Sequence, residues 1–199
     1  VPALAALLTG VIALAAHERP GVLRDGVAGS RHPEARDAVE KAARLCEELG
    51  HTVVEDAPVL DGEKIVPMFL VAWAAGIAAT IDGFAFIMGK EPSEDQFEPG
   101  TWMLYQAGKR NSSSDYLLAT QWLQGMTRQI ARFAEGYDVI LTPTQAMPPL
   151  PLGQFKSTAE KPEAGMMMAA AFCPFTPLYN VTGQPAVSLP LHWNSEGLP

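Results

Sequence analysis

Apolar positions along this 199-residue chain fall into three kinds of pattern. The first is helical. Between His32 and Gly50 the apolar residues Ala35, Ala38, Val39, Ala42, Leu45, Cys46 and Leu49 recur at three- and four-residue steps. Glu34, Arg36, Glu40, Lys41 and Arg44 fall outside that face, as an amphipathic helix requires. Pro33 suits the first helical position, where its missing N–H costs nothing, and Gly50 suits a left-handed C-cap. Ala119, Trp122, Met126, Ile130 and Phe133 repeat the spacing and predict a long helix, started by N-caps within 111–115 and ending near Gly136. Trp102 to Gly108 reads as a shorter helix.

The second pattern is continuous apolarity. Ile65 to Ile81 runs 17 residues without a charge. That is short of the roughly 20 residues a membrane span needs. With Pro67 and Gly76 inside it, the stretch predicts a buried core helix over 65–89, broken near Gly83. Residues 1–16 are also uncharged, and a buried helix or a misplaced N-terminal boundary is preferred there to a signal segment because no basic region precedes them. The third pattern is short and β-like: 21–24, 52–54, 138–143 and 185–190. Strand 21–24, the helix over 32–49 and strand 52–54 read as a βαβ unit with parallel strands. Helices alternating with such strands predict an α/β architecture.

Composition narrows the function classes. Acidic residues number 22 against 14 basic ones, a net charge of −8, so no basic excess is available to neutralise nucleic-acid phosphates. Apolar residues make up 48%, too many for a disordered chain. Cys46 and Cys173 cannot form a disulfide framework or a structural zinc site, and none of the four histidines pairs with another at metal-ligand spacing. No glycine pattern forms a phosphate cradle, so neither a metal nor a cofactor is expected. Ser188 and His192 share a face if 185–192 is extended, but no carboxylate follows at a telling spacing. From the residues alone the chain is a folded α/β unit without a self-contained active site.

Three blocks, in order, change that picture. His32-Pro33-Glu34 opens a helix that ends in Leu45-Cys46-Glu47-Glu48-Leu49-Gly50-His51. Tyr137-Asp138-Val139-Ile140-Leu141-Thr142-Pro143-Thr144 leads into Pro148-Pro149-Leu150-Pro151-Leu152-Gly153. Phe175-Thr176-Pro177-Leu178-Tyr179-Asn180-Val181-Thr182-Gly183-Gln184-Pro185-Ala186-Val187-Ser188-Leu189-Pro190 runs on to Glu196-Gly197-Leu198-Pro199. Together they resemble the later half of the amidase signature enzymes. The resemblance covers 32–199, as the C-terminal portion of a single amidase domain, and leaves 1–31 unassigned.

That resemblance implies an α/β fold: part of a mixed β-sheet core flanked by helices, here incomplete, with strands 139–142 and 186–190 buried on both faces. It implies hydrolysis of carboxylic amide C–N bonds by a Ser–cis-Ser–Lys triad in a Gly/Ser-rich stretch. No such stretch exists in this chain: the serine run Ser112–Ser114 is flanked by Asn111 and Asp115, and Gly29-Ser30 stands alone. No catalytic residue is therefore assigned, and the length is expected to mark a cut rather than a domain. Trp102 is the leading substrate-binding candidate, with Ile87 and Met88 as apolar neighbours and Phe175 and Thr176 as further candidates. The expected partner is a small-molecule amide, bound by the full-length parent in the cytoplasm. No nucleic acid or membrane partner is expected, and a homodimer is compatible. The alternative reading is a catalytically inactive amidase-like binding or assembly module.

Overall fold

The computed structural model describes the backbone of residues 13–15 and the chain from 32 to 198. The expected strand at 21–24 and residues 1–12 of the apolar segment lie outside the described residues. The helix expected over 1–16 is corrected at Ala13–Ala15, which form a strand because they pair with Thr52 and with Val139 and Ile140. The element order is β1 (Ala13–Ala15), α1 (Pro33–Glu48), β2 (Thr52–Val54), α2 (Gly62–Met88), α3 (Pro99–Arg110), α4 (Ser113–Ala134), β3 (Val139–Ile140), α5 (Ala164–Phe172) and α6 (Thr176–Thr182). Helices dominate, and the strands are two or three residues long.

The helical readings hold where the period is strong. In α1, Pro33 occupies the first turn and the His32 side chain accepts the Glu34 N–H at 3.4 Å. The face that is buried is narrower than the period suggests: Val39, Ala42 and Ala43 are buried, whereas Leu45 and Leu49 are exposed. Val39 and Ala43 pack against Val53 of β2 and Leu141 just after β3. In α4, Ser112 caps the helix by accepting the Asp115 N–H, and the Asp115 carboxylate accepts the Ser112 N–H in return. Ala119, Leu123, Met126 and Ile130 are its buried residues.

Helix α2 departs from expectation in two respects. It runs through Gly83 without a break, and its last turn is not buried: Phe84, Phe86, Ile87 and Met88 are all exposed. By length and composition alone α2 could cross a membrane. Here its Ile65, Ala74, Ala78 and Ile81 positions are buried, and it packs along α3 and α4. The α2–α3 approach is close because α3 carries Gly108 at the crossing. A Cβ at Gly108 would collide with the Ala74 carbonyl and come within 2.7 Å of the Ala78 side chain. The largest core cluster joins Ile65 of α2, Leu123, Met126 and Ile130 of α4, and Leu178 of α6.

The sheet expectations need correction. The strand pairs among the described residues are antiparallel, in the order β2-β1-β3, and the strand at 21–24 expected to run parallel to β2 lies outside the described residues. A mixed sheet flanked by helices is not seen among the described residues. Strand 139–142 shortens to Val139–Ile140, with Val139 exposed. Residues 185–190 form no strand, and Val187 and Leu189 are 80% and 61% exposed. Val139 and Ile140 are strand only where they pair with Leu14 and Ala13 of β1, whereas 185–190 has no strand partner among the described residues, and a strand's N–H and C=O groups need one. A helix not expected from the sequence, α6, fills 176–182, with Pro177 in its first turn and Gly183 in left-handed conformation closing it. Ala146, itself buried, ties distant segments together: its carbonyl accepts the His32 N–H and its own N–H donates to the Phe172 carbonyl.

Candidate functional site

Trp102 sits near the start of α3, where Pro99 opens the helix. A short 3-10 turn at Glu94–Gln96 delivers the preceding Phe97 to it. That turn is fixed locally: the Gln96 side-chain oxygen accepts the Ser93 N–H at 3.2 Å, and Ser93 Oγ donates to Asp95 at 2.6 Å. The rings of Phe97 and Trp102 stack with centroids 5.9 Å apart, and Trp102 stacks on Tyr105 at 5.0 Å. Behind this ladder lie Ala78 and Ile81 of α2. Trp102 is thus half-buried in an aromatic ladder on the α2–α3 pair.

The ladder ends on a polar clamp. Tyr105 donates its hydroxyl to Asp82 Oδ1 at 2.9 Å, and Lys109 Nζ reaches Asp82 Oδ2 at 2.6 Å while lying 5.8 Å over the Tyr105 ring. The hydrogen bond from Lys109 holds the Asp82 carboxyl below its ordinary value, with Tyr105 adding to it. The same pairing raises Lys109, and desolvation followed by the Asp82 contact raises the Tyr105 phenol.

The other predicted residues are placed apart. Ile87 and Met88 lie in the last turn of α2, 78% and 69% exposed. Phe175 is buried at the start of α6 and Thr176 is the half-buried first residue of that helix. Trp102 stacks on Phe97 and Tyr105 and packs on the cluster of Ala78, Ile81 and Tyr105, which includes none of these four.

A feature the sequence did not signal is a cleft of about 530 Å³ between α2, α3, α5 and the loop 153–157. Trp73, Leu104, Phe155 and Met166 supply its apolar wall; Glu98, Thr101, Lys156 and Ser157 supply its polar atoms. The loop can lie this close to α5 because of Gly165, where a Cβ would collide with the Phe155 carbonyl. Ser157 Oγ then accepts the Gly165 N–H at 3.2 Å. None of the five predicted site residues lines this cleft, although Thr101 and Leu104 flank Trp102 in α3. The signal that could have found it is the pair of glycines, Gly153 and Gly165, around Phe155-Lys156-Ser157; glycine at a close backbone approach has a steric reason that periodicity does not register.

Other reactive groups are accounted for locally. Ser188 Oγ pairs with Thr144 Oγ1 at 3.1 Å. His192 Nδ1 lies 4.0 Å from Asp37, a carboxylate on α1 that the sequence did not place near it, and Asp37 also pairs with Lys41 at 2.5 Å. Burial pushes both thiols, Cys46 and Cys173, up from their ordinary value, which disfavours the thiolate nucleophile. Burial also pushes the Tyr179 phenol up to about 12, so it stays a neutral hydroxyl beside Thr142. Among the described residues no group of three His, Cys, Asp or Glu side chains is placed to hold a metal.

Comparison with known proteins gives these parts a context. The Amidase family profile matches residues 16–199, and the chain belongs to that family. It is 33% identical to the putative amidase AmiC of Mycobacterium leprae over 167 residues, covering 84% of this chain and 35% of that protein. It is 30% identical to the lipoamidase of Enterococcus faecalis, covering 83% of this chain and 25% of the relative. A solved structure of 6-aminohexanoate cyclic dimer hydrolase, complexed with substrate, superposes with a TM-score of 0.69 over 92% of this chain and 41% of the other, at 23% identity. The chain therefore has the fold of part of such a hydrolase and spans between a quarter and about two-fifths of the proteins it matches.

Proposed function

We propose that this chain is the scaffold-and-pocket portion of an amide hydrolase that acts on the C–N bond of a small carboxylic amide. The observation that carries the reading is the family match over 16–199. In this reading the Ser–cis-Ser–Lys triad belongs to a segment that precedes this chain in the parent protein. Two facts support that: the chain spans only 25–41% of the relatives named above, and it contains no Gly/Ser-rich run. Amide hydrolysis needs an activated nucleophile, a proton relay and oxyanion donors. Ser188 is hydrogen-bonded to the Thr144 hydroxyl, which is not a general base. Trp102, Ile87, Met88, Phe175 and Thr176 are proposed to face the substrate once the triad-bearing segment is in place. The two free thiols fit a reducing cytoplasm.

The test is a chimaera. The N-terminal part of AmiC from Mycobacterium leprae would be joined to this chain and assayed on an aryl amide, beside this chain alone. The chimaera is expected to turn over, with Trp102→Ala raising KM, and the chain alone is expected to be inert. Turnover by the chain alone that disappears in Ser188→Ala would overturn the reading. A folded chimaera without turnover would point instead to an inactive binding or assembly module.

A further inference from the structure

The cleft between α2, α3, α5 and loop 153–157 is absorbed by none of the roles proposed above. Its wall is mainly apolar, from Trp73, Leu104 and Met166, and its volume of about 530 Å³ falls in the range of small-molecule sites. Two opposite charges line it, Glu98 and Lys156. They are not equivalent. Glu98 is the N-cap residue of α3, where the helix dipole offsets a negative charge. Lys156 lies in the exposed loop, and among the described residues it makes no ion pair. Next to it, Ser157 Oγ already accepts the Gly165 N–H, so its own O–H remains available to donate. An unpaired lysine and a hydroxyl donor from successive residues, lining one cleft with an apolar wall, are complementary to an anion that carries a hydrocarbon chain.

We propose that this cleft binds linear monocarboxylates. The carboxylate meets Lys156 and the Ser157 hydroxyl, and the unbranched chain lies along Trp73, Leu104 and Met166. The site does not depend on the amide-hydrolase reading, because its donors and wall all come from described residues of this chain.

Isothermal titration of the chain, kept soluble by fusion to a carrier protein, tests this, with the carrier alone as the blank. Octanoate is expected to bind saturably, and octylamine to bind at least tenfold more weakly. Lys156→Met keeps the stem and removes the charge; it should weaken octanoate about tenfold, the loss of one charge-assisted contact, while leaving octanol unchanged. Glu98→Gln should leave octanoate within twofold or tighten it. Ala169→Phe, which fills the cleft, should abolish binding of both octanoate and octanol. Circular dichroism of each variant separates loss of the site from loss of the fold. The proposal is overturned if octanoate gives no saturable heat, if octylamine binds as tightly, or if folded Lys156→Met binds octanoate like the parent.

Discussion

The α2–α3–α4 bundle and the segment 183–198 both carry large apolar side chains and end in opposite states. In the bundle, Ile130 and Ala119 are each 1% exposed, Ala74 is 2% exposed, and Gly108 lets two helices meet backbone to side chain. In the tail, Val187, Leu189, Leu191 and Trp193 are all more than half exposed, although valine, leucine and tryptophan favour burial as strongly as anything in α4. The difference lies in where the backbone hydrogen bonds go. A helix satisfies its N–H and C=O groups within itself and needs a neighbour only for its apolar stripe. An extended segment needs another strand for its backbone before its side chains can be buried at all.

The strongest way to break the contrast is at the crossing. Gly108→Leu should destabilise the chain by about 3 kcal/mol or more, because the new side chain meets the Ala74 carbonyl rather than a movable group. A fall in the thermal midpoint of only about a degree would show that the helices part without cost. Ile130→Ala should be nearly as damaging, about 3 kcal/mol, since it empties the centre of the main cluster. Chemical denaturation would read this directly, and a loss under about 1 kcal/mol would mean that the cluster collapses around the gap.

Smaller effects sharpen the comparison. The folded-state carboxyl of Asp82 is depressed by Lys109 and Tyr105. Its stabilisation is therefore present above the unfolded value, near pH 4, and is lost as pH falls through the folded value. The Asp82 side chain is 42% exposed, which limits the contribution to about 0.5–1 kcal/mol. Asp82→Asn should remove that much at pH 7 and flatten the stability profile below about pH 4; an unchanged acid limb would exclude the clamp. Val187→Lys with Leu189→Lys should change stability least, within about 0.5 kcal/mol, because neither side chain is buried. The same pair should raise the soluble fraction of the chain, which is expected to aggregate through this apolar segment. A clear loss of stability would show that the tail packs more firmly than its exposure indicates.

The same contrast decides how much is legible in the sequence. Helices α1 and α4 are readable because cap, period and stop all lie within one short window: His32-Pro33 with Gly50, and Ser112 with Asp115. Val139 to Thr142 and Ala186 to Leu189 look equally definite as strands, but strand state depends on a partner that local pattern does not contain. The exposed end of α2 escapes for a related reason, since uniform apolarity marks no face. The site shows the same divide. Trp102 is legible as a bulky aromatic at the head of α3, whereas its stacking on Phe97 and the clamp at Asp82 require the α2–α3 crossing to be known. The cleft around Lys156 rests on a close backbone approach at Gly165 and leaves no periodic trace.

Ala146 carries a consequence for how the chain comes to be folded. Its backbone holds His32 on one side and Phe172 on the other. A ribosome delivers these three residues in order, so α1 can form and meet β2 early, while the backbone bond from His32 waits for Ala146 and the junction closes only after α5. Contacts of such long range come late in folding, because the intervening loop must first be closed. The docking of α1 is therefore completed in stages, its side chains meeting Val53 of β2 first and the His32–Ala146–Phe172 junction closing afterwards.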